Sequence, residues 1–227
     1  MSEPAPSKPF IHLRLHTEFS ISDGLATIPT LISRLQQLYM PAVAITDLAN
    51  LFGLIKFYSA AVKSGIKPIC GVDVLVENKQ GTRSRIVLLV KDRTGYLNLT
   101  NIISALYTDS ETHGEPVLAL DSLDGMTEGL IALSGAQFGD IGYELLGDDF
   151  EQAKTLLSRW QSLFPDSFYL ELQRVGKVDE EVYIERAVNL AIETQCPVIA
   201  TNDVRFIGQE DFDAHEVRVC INDRREL

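Results

Sequence analysis

Short apolar runs alternate with helical patterns along the whole chain, and that alternation limits the possible folds more than any other feature. Strands are expected at 10–16, 42–46, 69–76, 85–91, 130–134, 168–173 and 198–201. Helices are expected at 28–39, 54–64, 96–107, 139–146, 150–164, 180–194 and 209–219. Thr27 and Pro29 mark the first helix start, a side-chain cap followed by proline in the first turn. Pro165, Pro197 and Gly65 punctuate the ends of others. Repeated strand–helix units predict a largely parallel sheet with helices outside, either a barrel or an open doubly wound sheet. The open sheet would carry a Gly-rich phosphate loop after its first strand, and none is present. His16, Asp47, Asp73, Glu171 and Asp203 fall at the C-terminal ends of expected strands, where barrel active sites are built. The barrel is the expected fold.

At 227 residues the chain suits one large α/β domain or two small ones, and the reading taken is residues 1–9 as a flexible Pro/Ser arm and 10–227 as one domain. The arm lacks the apolar core of a secretory signal. The longest apolar runs, 86–90 and 129–134, are far too short to cross a bilayer. Cys70, Cys196 and Cys220 are odd in number and widely spaced, which points to a reducing cytoplasm and away from a disulfide framework or structural zinc site. The charge of −12, from 20 Lys and Arg against 32 Asp and Glu, disfavours phosphate-backbone binding, which depends on cations. No strong direct DNA binding is expected.

Histidines two apart on a strand point the same way, so His12, Arg14 and His16 are expected on one face. Imidazoles there suit a metal cluster, but Arg14 donates hydrogen bonds and cannot coordinate a cation. Three more segments carry acids: 44–53 has Asp47, 67–73 ends in Asp73, and 200–206 has Asp203. Taken singly, each acid has an ordinary reading as a cap or turn residue. Asp148 and Asp149 read as an ordinary connection between helices. Asp211 and Asp213, two apart on a helix, do not face the same way. His215 either packs on the barrel or caps a helix end.

Taken together and in order, the blocks HLRLHTEFSISDG, AITDLANLFG, IKPICGVD, GYLNLT, FYLELQRVG and ATNDVRFIGQEDFDAHEVRVCI resemble the N-terminal PHP (polymerase and histidinol phosphatase) domain of bacterial DNA polymerase III alpha subunits. The resemblance covers nearly the whole chain. It implies a distorted seven-stranded (β/α)7 TIM-like barrel, fused in the parent to a magnesium-dependent DNA-directed DNA polymerase whose catalytic parts would follow Leu227. It also implies two partners, the polymerase body of the same chain and a proofreading 3′–5′ exonuclease subunit.

Active members of that family hold up to three metal ions on about nine ligands, and this sequence departs from their pattern. The resemblance assigns His16, Asp23, Asp73 and Asp203 as the surviving, vestigial ligands. Arg14, Leu48, Arg85, Val175 and Arg205 stand where ligands belong, and Asp73 shortens a bridging glutamate. A hydrolytic cluster needs metals in fixed geometry with open positions for water. The expectation is therefore no catalytic residue and no cofactor in this domain, with a weak single divalent cation on His16 and the carboxylates left open. Arginine is always charged and can grip carboxylates with two bonds. Arg14, Arg85 and Arg205 are accordingly read either as partners of Asp73, Asp203 and Asp23 in place of metals or as independent drift to surface-tolerant residues. The first functional reading is a silent scaffold and docking platform. The second is an active metal-dependent phosphoesterase or 3′–5′ exonuclease, and the third an unrelated barrel enzyme using Asp73 with Glu171 as an acid–base pair.

Overall fold

The structure, a computed structural model, describes residues 10–108 and 116–226. The arm expected at 1–9 lies outside them. Seven strands are formed: β1 (Ala42–Ile45), β2 (Lys67–Glu77), β3 (Arg83–Val90), β4 (Val117–Ala119), β5 (Leu130–Leu133), β6 (Phe168–Gln173) and β7 (Val198–Thr201). Seven α-helices accompany them: α1 (Ile28–Gln37), α2 (Leu54–Lys63), α3 (Arg93–Thr108), α4 (Asp140–Leu146), α5 (Phe150–Leu163), α6 (Glu180–Thr194) and α7 (Phe212–Asp223). The start of α1 follows the sequence signal: the Thr27 hydroxyl accepts the Thr30 N–H, and Pro29 occupies the first turn. Ile28, Leu31, Ile32 and Leu35 then form its buried stripe, spaced as one helical face requires.

The sheet runs β1-β2-β3-β5-β6-β7, with β4 pairing β2 off this path. It is mixed rather than uniformly parallel. β3 lies antiparallel to both β2 and β5, while the β1–β2, β5–β6 and β6–β7 pairs are parallel. The reason is local: β2 and β3 are joined by a short turn over residues 78–82, too short for the helical crossover that a parallel return needs. The expected largely parallel sheet is thus a curled, mixed one, an α/β half-barrel.

The strand expected at 10–16 does not form. The Leu15 N–H goes to the Thr46 hydroxyl at 2.9 Å instead of to a ladder carbonyl, and the Leu15 carbonyl accepts from Thr46 N. Leu15 makes one isolated parallel bridge, to Val204. Residues 12–16 therefore lie between β1 and the end of β7 as an irregular connection: His12 O accepts from Ala44 N, and His16 N donates to Val204 O.

One cluster shows how far the sheet curls. Ala44, Val87, Leu89 and Leu133 pack with Leu13, Ile69, Ile131, Tyr169 and Ile199, drawing on six strands and the 12–16 connection. Side chains from both ends of the strand order meet only if the sheet bends back on itself. The other two clusters lie outside this interior, one under α1 and α2, the larger under α3 to α6. Strand parity then places the polar residues. Along β2, Ile69 shares its face with Asp73; along β3, Val87 with Arg85; along β6, Tyr169 with Glu171; along β7, Ile199 with Thr201. The interior is apolar at one end and ionic at the other.

Gly24 holds the loop after the 12–16 connection against that ionic end. A Cβ there would stand 1.8 Å from the Thr17 carbonyl oxygen, which is backbone and cannot yield. Gly24→Ala is expected to destabilise the fold by about 1–3 kcal/mol, as overpacking does, measured by urea unfolding with the m-value unchanged.

Candidate functional site at the ionic end of the sheet

Arg14 is the largest fully buried side chain among the described residues, with 1% exposure. Its Nη2 and Nε donate to Asp73 Oδ2 at 2.7 and 3.1 Å, and its Nη1 lies 3.3 Å from Glu171 Oε2. Arg14 Nε is also 3.7 Å from Asp203 Oδ1. His16, which is fully buried, places Nδ1 2.9 Å from Asp23 Oδ1 and Nε2 3.2 Å from Asp73 Oδ2. Arg205 bonds Asp23 and also contacts His16, while its Nη2 donates to Asp203 Oδ1 at 2.5 Å. Arg85 Nη1 lies 3.2 Å from Asp73 Oδ2. The ion pairs expected of Arg14, Arg85 and Arg205 with Asp73, Asp203 and Asp23 are thus present.

The electrostatics follow from this packing. Burial opposes the charge on Asp73, but Arg14, then Arg85 and His16, outweigh it and hold the carboxyl far below its usual range. Burial likewise works against Asp203, and Arg14 and Lys177 overcome it, so its pKa is lowered. Burial alone would strip the proton from His16, yet hydrogen bonds to Asp23 and Asp73 raise it to about 9. The carboxylates on either side of the ring thus favour its protonated form.

Sequence reasoning placed some of these residues differently. Glu171 sits inside β6, and Asp73 inside β2, because β2 runs on past β1 to pair with β3 and β4. His12 does not join the cluster. A bend at Leu13 separates it, its ring packs edge-on against Phe10 at 5.1 Å, and burial lowers its pKa. Leu48 bridges Asp73 through the backbone and lines the cleft above the site. Val175 is 42% exposed, its N–H bound to Glu180, and it stays outside the ion-pair network. Asp47 is structural: it accepts from Thr17 N at 2.6 Å, the Thr17 hydroxyl and the Ser20 hydroxyl, fixing the loop that carries Asp23. Asp149 caps α5 through Gln152 N, and Asp148 pairs with Arg186, so that acidic pair is a connection. His215 packs on the site, with Nδ1 donating to the Asp23 carbonyl at 2.9 Å.

Lys177 escaped sequence reasoning. Its Nζ donates to Asp203 Oδ2 at 2.6 Å and lies 4.6 Å from the centre of the Phe138 ring. The available signal was a lysine directly after Gly176, whose φ of +85° turns the chain back over β6. The Glu171 lattice was missed as well. Glu171 Oε1 accepts from Thr201 Oγ1 at 2.5 Å and from Gln173 Nε2 at 3.1 Å.

These donors fit a metal cluster poorly. Both His16 nitrogens face carboxylates, Asp203 accepts from Arg205 and Lys177, and Asp23 from Arg205. Asp73 Oδ1 is the one buried carboxylate oxygen without a hydrogen-bond partner among the described residues, and a divalent cation needs several such ligands. Among the described residues no three His, Cys, Asp or Glu side chains converge as a metal-holding set. Asp73 and Glu171 share Arg14, which leaves neither free to act as a general base.

The PHP domain family matches residues 12–175, and the chain belongs to that family. Its similarity extends to curated proteins called DNA polymerase III subunit alpha. It is 47% identical to the one from Pseudomonas aeruginosa over 220 residues, covering 96% of this chain and 19% of that protein. It is 45% identical to the Escherichia coli protein over 225 residues, covering 98% and 19%. The chain spans about a fifth of the length of these relatives. Among solved structures, it superimposes on an amidohydrolase from Chromobacterium violaceum, with TM-score 0.59, 16% identity, 92% of this chain and 96% of that one. A two-domain protein from Bacteroides vulgatus, containing a predicted PHP-like metal-dependent phosphoesterase, gives TM-score 0.56 at 13% identity over 91% of this chain and 55% of that one. At such identities these likenesses define the fold.

Removing Arg14 leaves Asp73 and Glu171 charged, buried and short of a partner. Arg14→Met is expected to cost about 3–5 kcal/mol in urea unfolding, as for one-sided loss of a buried ion pair. His16 gives a separate signature. Its folded pKa of about 9 lies above the ordinary 6.5, so its stabilisation is complete below pH 6.5 and is lost as pH rises through 9. Unfolding free energy is expected to fall by on the order of 2 kcal/mol between pH 6.5 and 9, and His16→Gln to remove that slope.

Proposed function

We propose that the chain is a catalytically silent PHP domain of a replicative DNA polymerase alpha chain, serving as a scaffold for the polymerase body and a docking platform for a proofreading 3′–5′ exonuclease. The observation that carries this reading is Arg14 clasped between Asp73 and Glu171, with Arg205 between Asp23 and Asp203. Guanidinium groups stand in for the ions that hold such acids together in hydrolytic members. His16, Asp23, Asp73 and Asp203 are on this reading vestigial ligands, and the curled sheet is a distorted seven-stranded barrel closed by residues 12–16.

DNA-directed DNA polymerase activity, its magnesium and its role in chromosomal replication belong to the remainder of the longer chain, in the cytoplasm. Similarity to alpha subunits five times as long supports that assignment. No helix among the described residues is long and apolar enough to cross a membrane. A net charge of −12 favours protein partners over DNA. The fold likeness to a protein with a PHP-like phosphoesterase favours a second reading, a metal-dependent phosphoesterase or exonuclease.

Two measurements separate these readings. The purified chain, given manganese or zinc and a phosphodiester substrate, is expected to show no metal-stimulated hydrolysis and to retain less than one equivalent of metal after gel filtration. It is also expected to co-elute with the proofreading exonuclease of its own organism. Metal-stimulated turnover abolished by Asp203→Asn would establish the second reading instead.

A further inference from the structure

Helix α2 is apolar on two sides. Leu54, Phe57 and Ala61 form its buried stripe and pack with the core residues of α1. Ile55, Tyr58 and Val62, spaced i, i+3 and i+7, share a second face and are 73%, 51% and 53% exposed. Single exposed apolar side chains are ordinary, whereas a contiguous stripe of them marks an interaction surface. Two more exposed apolar residues, Leu38 and Tyr39, come to the C-terminal end of this stripe. The Lys67 N–H donates to the Pro41 carbonyl at 2.9 Å, so the chain leaving α1 runs beside the chain leaving α2.

The charge around the stripe is opposite to that of the chain as a whole, which carries −12. Between Gly24 and Val72 the only acid is Asp47, and it is buried, whereas Arg34, Lys56, Lys63 and Lys67 are all exposed. Lys56 and Lys63 each follow a stripe residue and stand seven apart, so they flank the same side of the stripe. Among the described residues Lys63 and Lys67 make no ion pair. Lys56 lies 3.9 Å from Glu18, an acid at the edge of the patch, in a contact exposed on both sides. Arg34 lines a hollow that also holds Glu210 and does not belong to this surface.

We propose that this face of α2 docks an acidic amphipathic helix of a partner protein, its apolar side on Ile55, Tyr58 and Val62 and its carboxylates over Lys56, Lys63 and Lys67. Ile55 to Val62 spans about 10 Å, two turns of such a helix. The acidic remainder of the chain repels a segment of this kind, so the cationic face both attracts it and fixes where it lands. Nucleic acid fits less well, because Ile55 and Val62 offer no ring on which a base can stack. The proposal rests on the docking half of the scaffold reading and adds to it a surface and a partner chemistry. Co-elution with the exonuclease tests that reading separately, and the two can fail independently.

The test is selection of a displayed library of random peptides, each of roughly four helical turns, on the 227-residue chain, followed by affinity measurement of those enriched. The enriched peptides are expected to carry Asp or Glu beside apolar residues at helical spacing. The double variant Lys63→Glu, Lys67→Glu is expected to weaken them roughly tenfold, mainly through slower association, with the difference shrinking in high salt. The double variant Ile55→Ser, Tyr58→Ser is expected to weaken them at least about tenfold through faster dissociation. All four side chains are exposed, so an unchanged Tm shows each variant intact. Should the charge reversal disturb folding, Lys63→Gln alone carries the charge test. No enrichment, enriched peptides without acids, or equal affinities for the natural chain and both variants would overturn the proposal. So would binding of a single-stranded oligonucleotide, of phosphatidylserine vesicles or of a second copy of the chain that the same variants abolish, because the face would then serve another occupant.

Discussion

An ionised carboxylate withdrawn from water costs several kcal/mol, and it persists only when opposite charge and hydrogen bonds surround it. Asp73 and Glu171 are both fully buried, and Arg14 answers both. Lysine could not do so, because a single ammonium presents no planar fork to two separate acids and loses its proton readily when buried. The neighbours complete the arrangement. His16 adds a second donor to Asp73, while Thr201 and Gln173 add donors to Glu171. Such a site is stable because nearly every partner is present at once.

The same constraint organises the chain at long range. Asp23 follows the first connection, whereas Arg205 follows β7, and their ion pair joins segments 182 residues apart. Arg218 on α7 donates to the Gly24 carbonyl, and His215 on the same helix to the Asp23 carbonyl. Few ladder hydrogen bonds span the gap between β1 and β7, so side-chain ions and these backbone contacts carry much of the connection. This explains why the 12–16 segment keeps its position without becoming a strand.

Much of this was legible in the residues. The 3.6-residue stripe of α1, its Thr27 cap and the apolar runs of β5, β6 and β7 specify their elements locally, and the structure forms them where expected. Strand parity put His12, Arg14 and His16 on one face; Arg14 and His16 both reach Asp73, whereas His12 packs on Phe10 instead. Where local reading failed, tertiary partners decided. The hydroxyl of Thr46 intercepts the Leu15 N–H and breaks the first strand, and no pattern within 10–16 announces it. The three-residue β4 exists only because β2 extends far enough to pair with it. Lys177 lies on a loop, where periodicity carries no information about direction.

Chemical consequence follows from where the lone pairs go. A carboxylate that activates water, directly or through an ion, needs an acceptor orbital free at the moment of reaction. In this pocket most of those orbitals point at guanidinium, ammonium and imidazole groups, and the carboxyls of Asp73 and Asp203 are held below their usual range. Lowering a carboxyl's pKa stabilises the fold and weakens it as a base in the same step. The property that makes this end of the sheet rigid is thus the one that weakens Asp73 and Asp203 as bases.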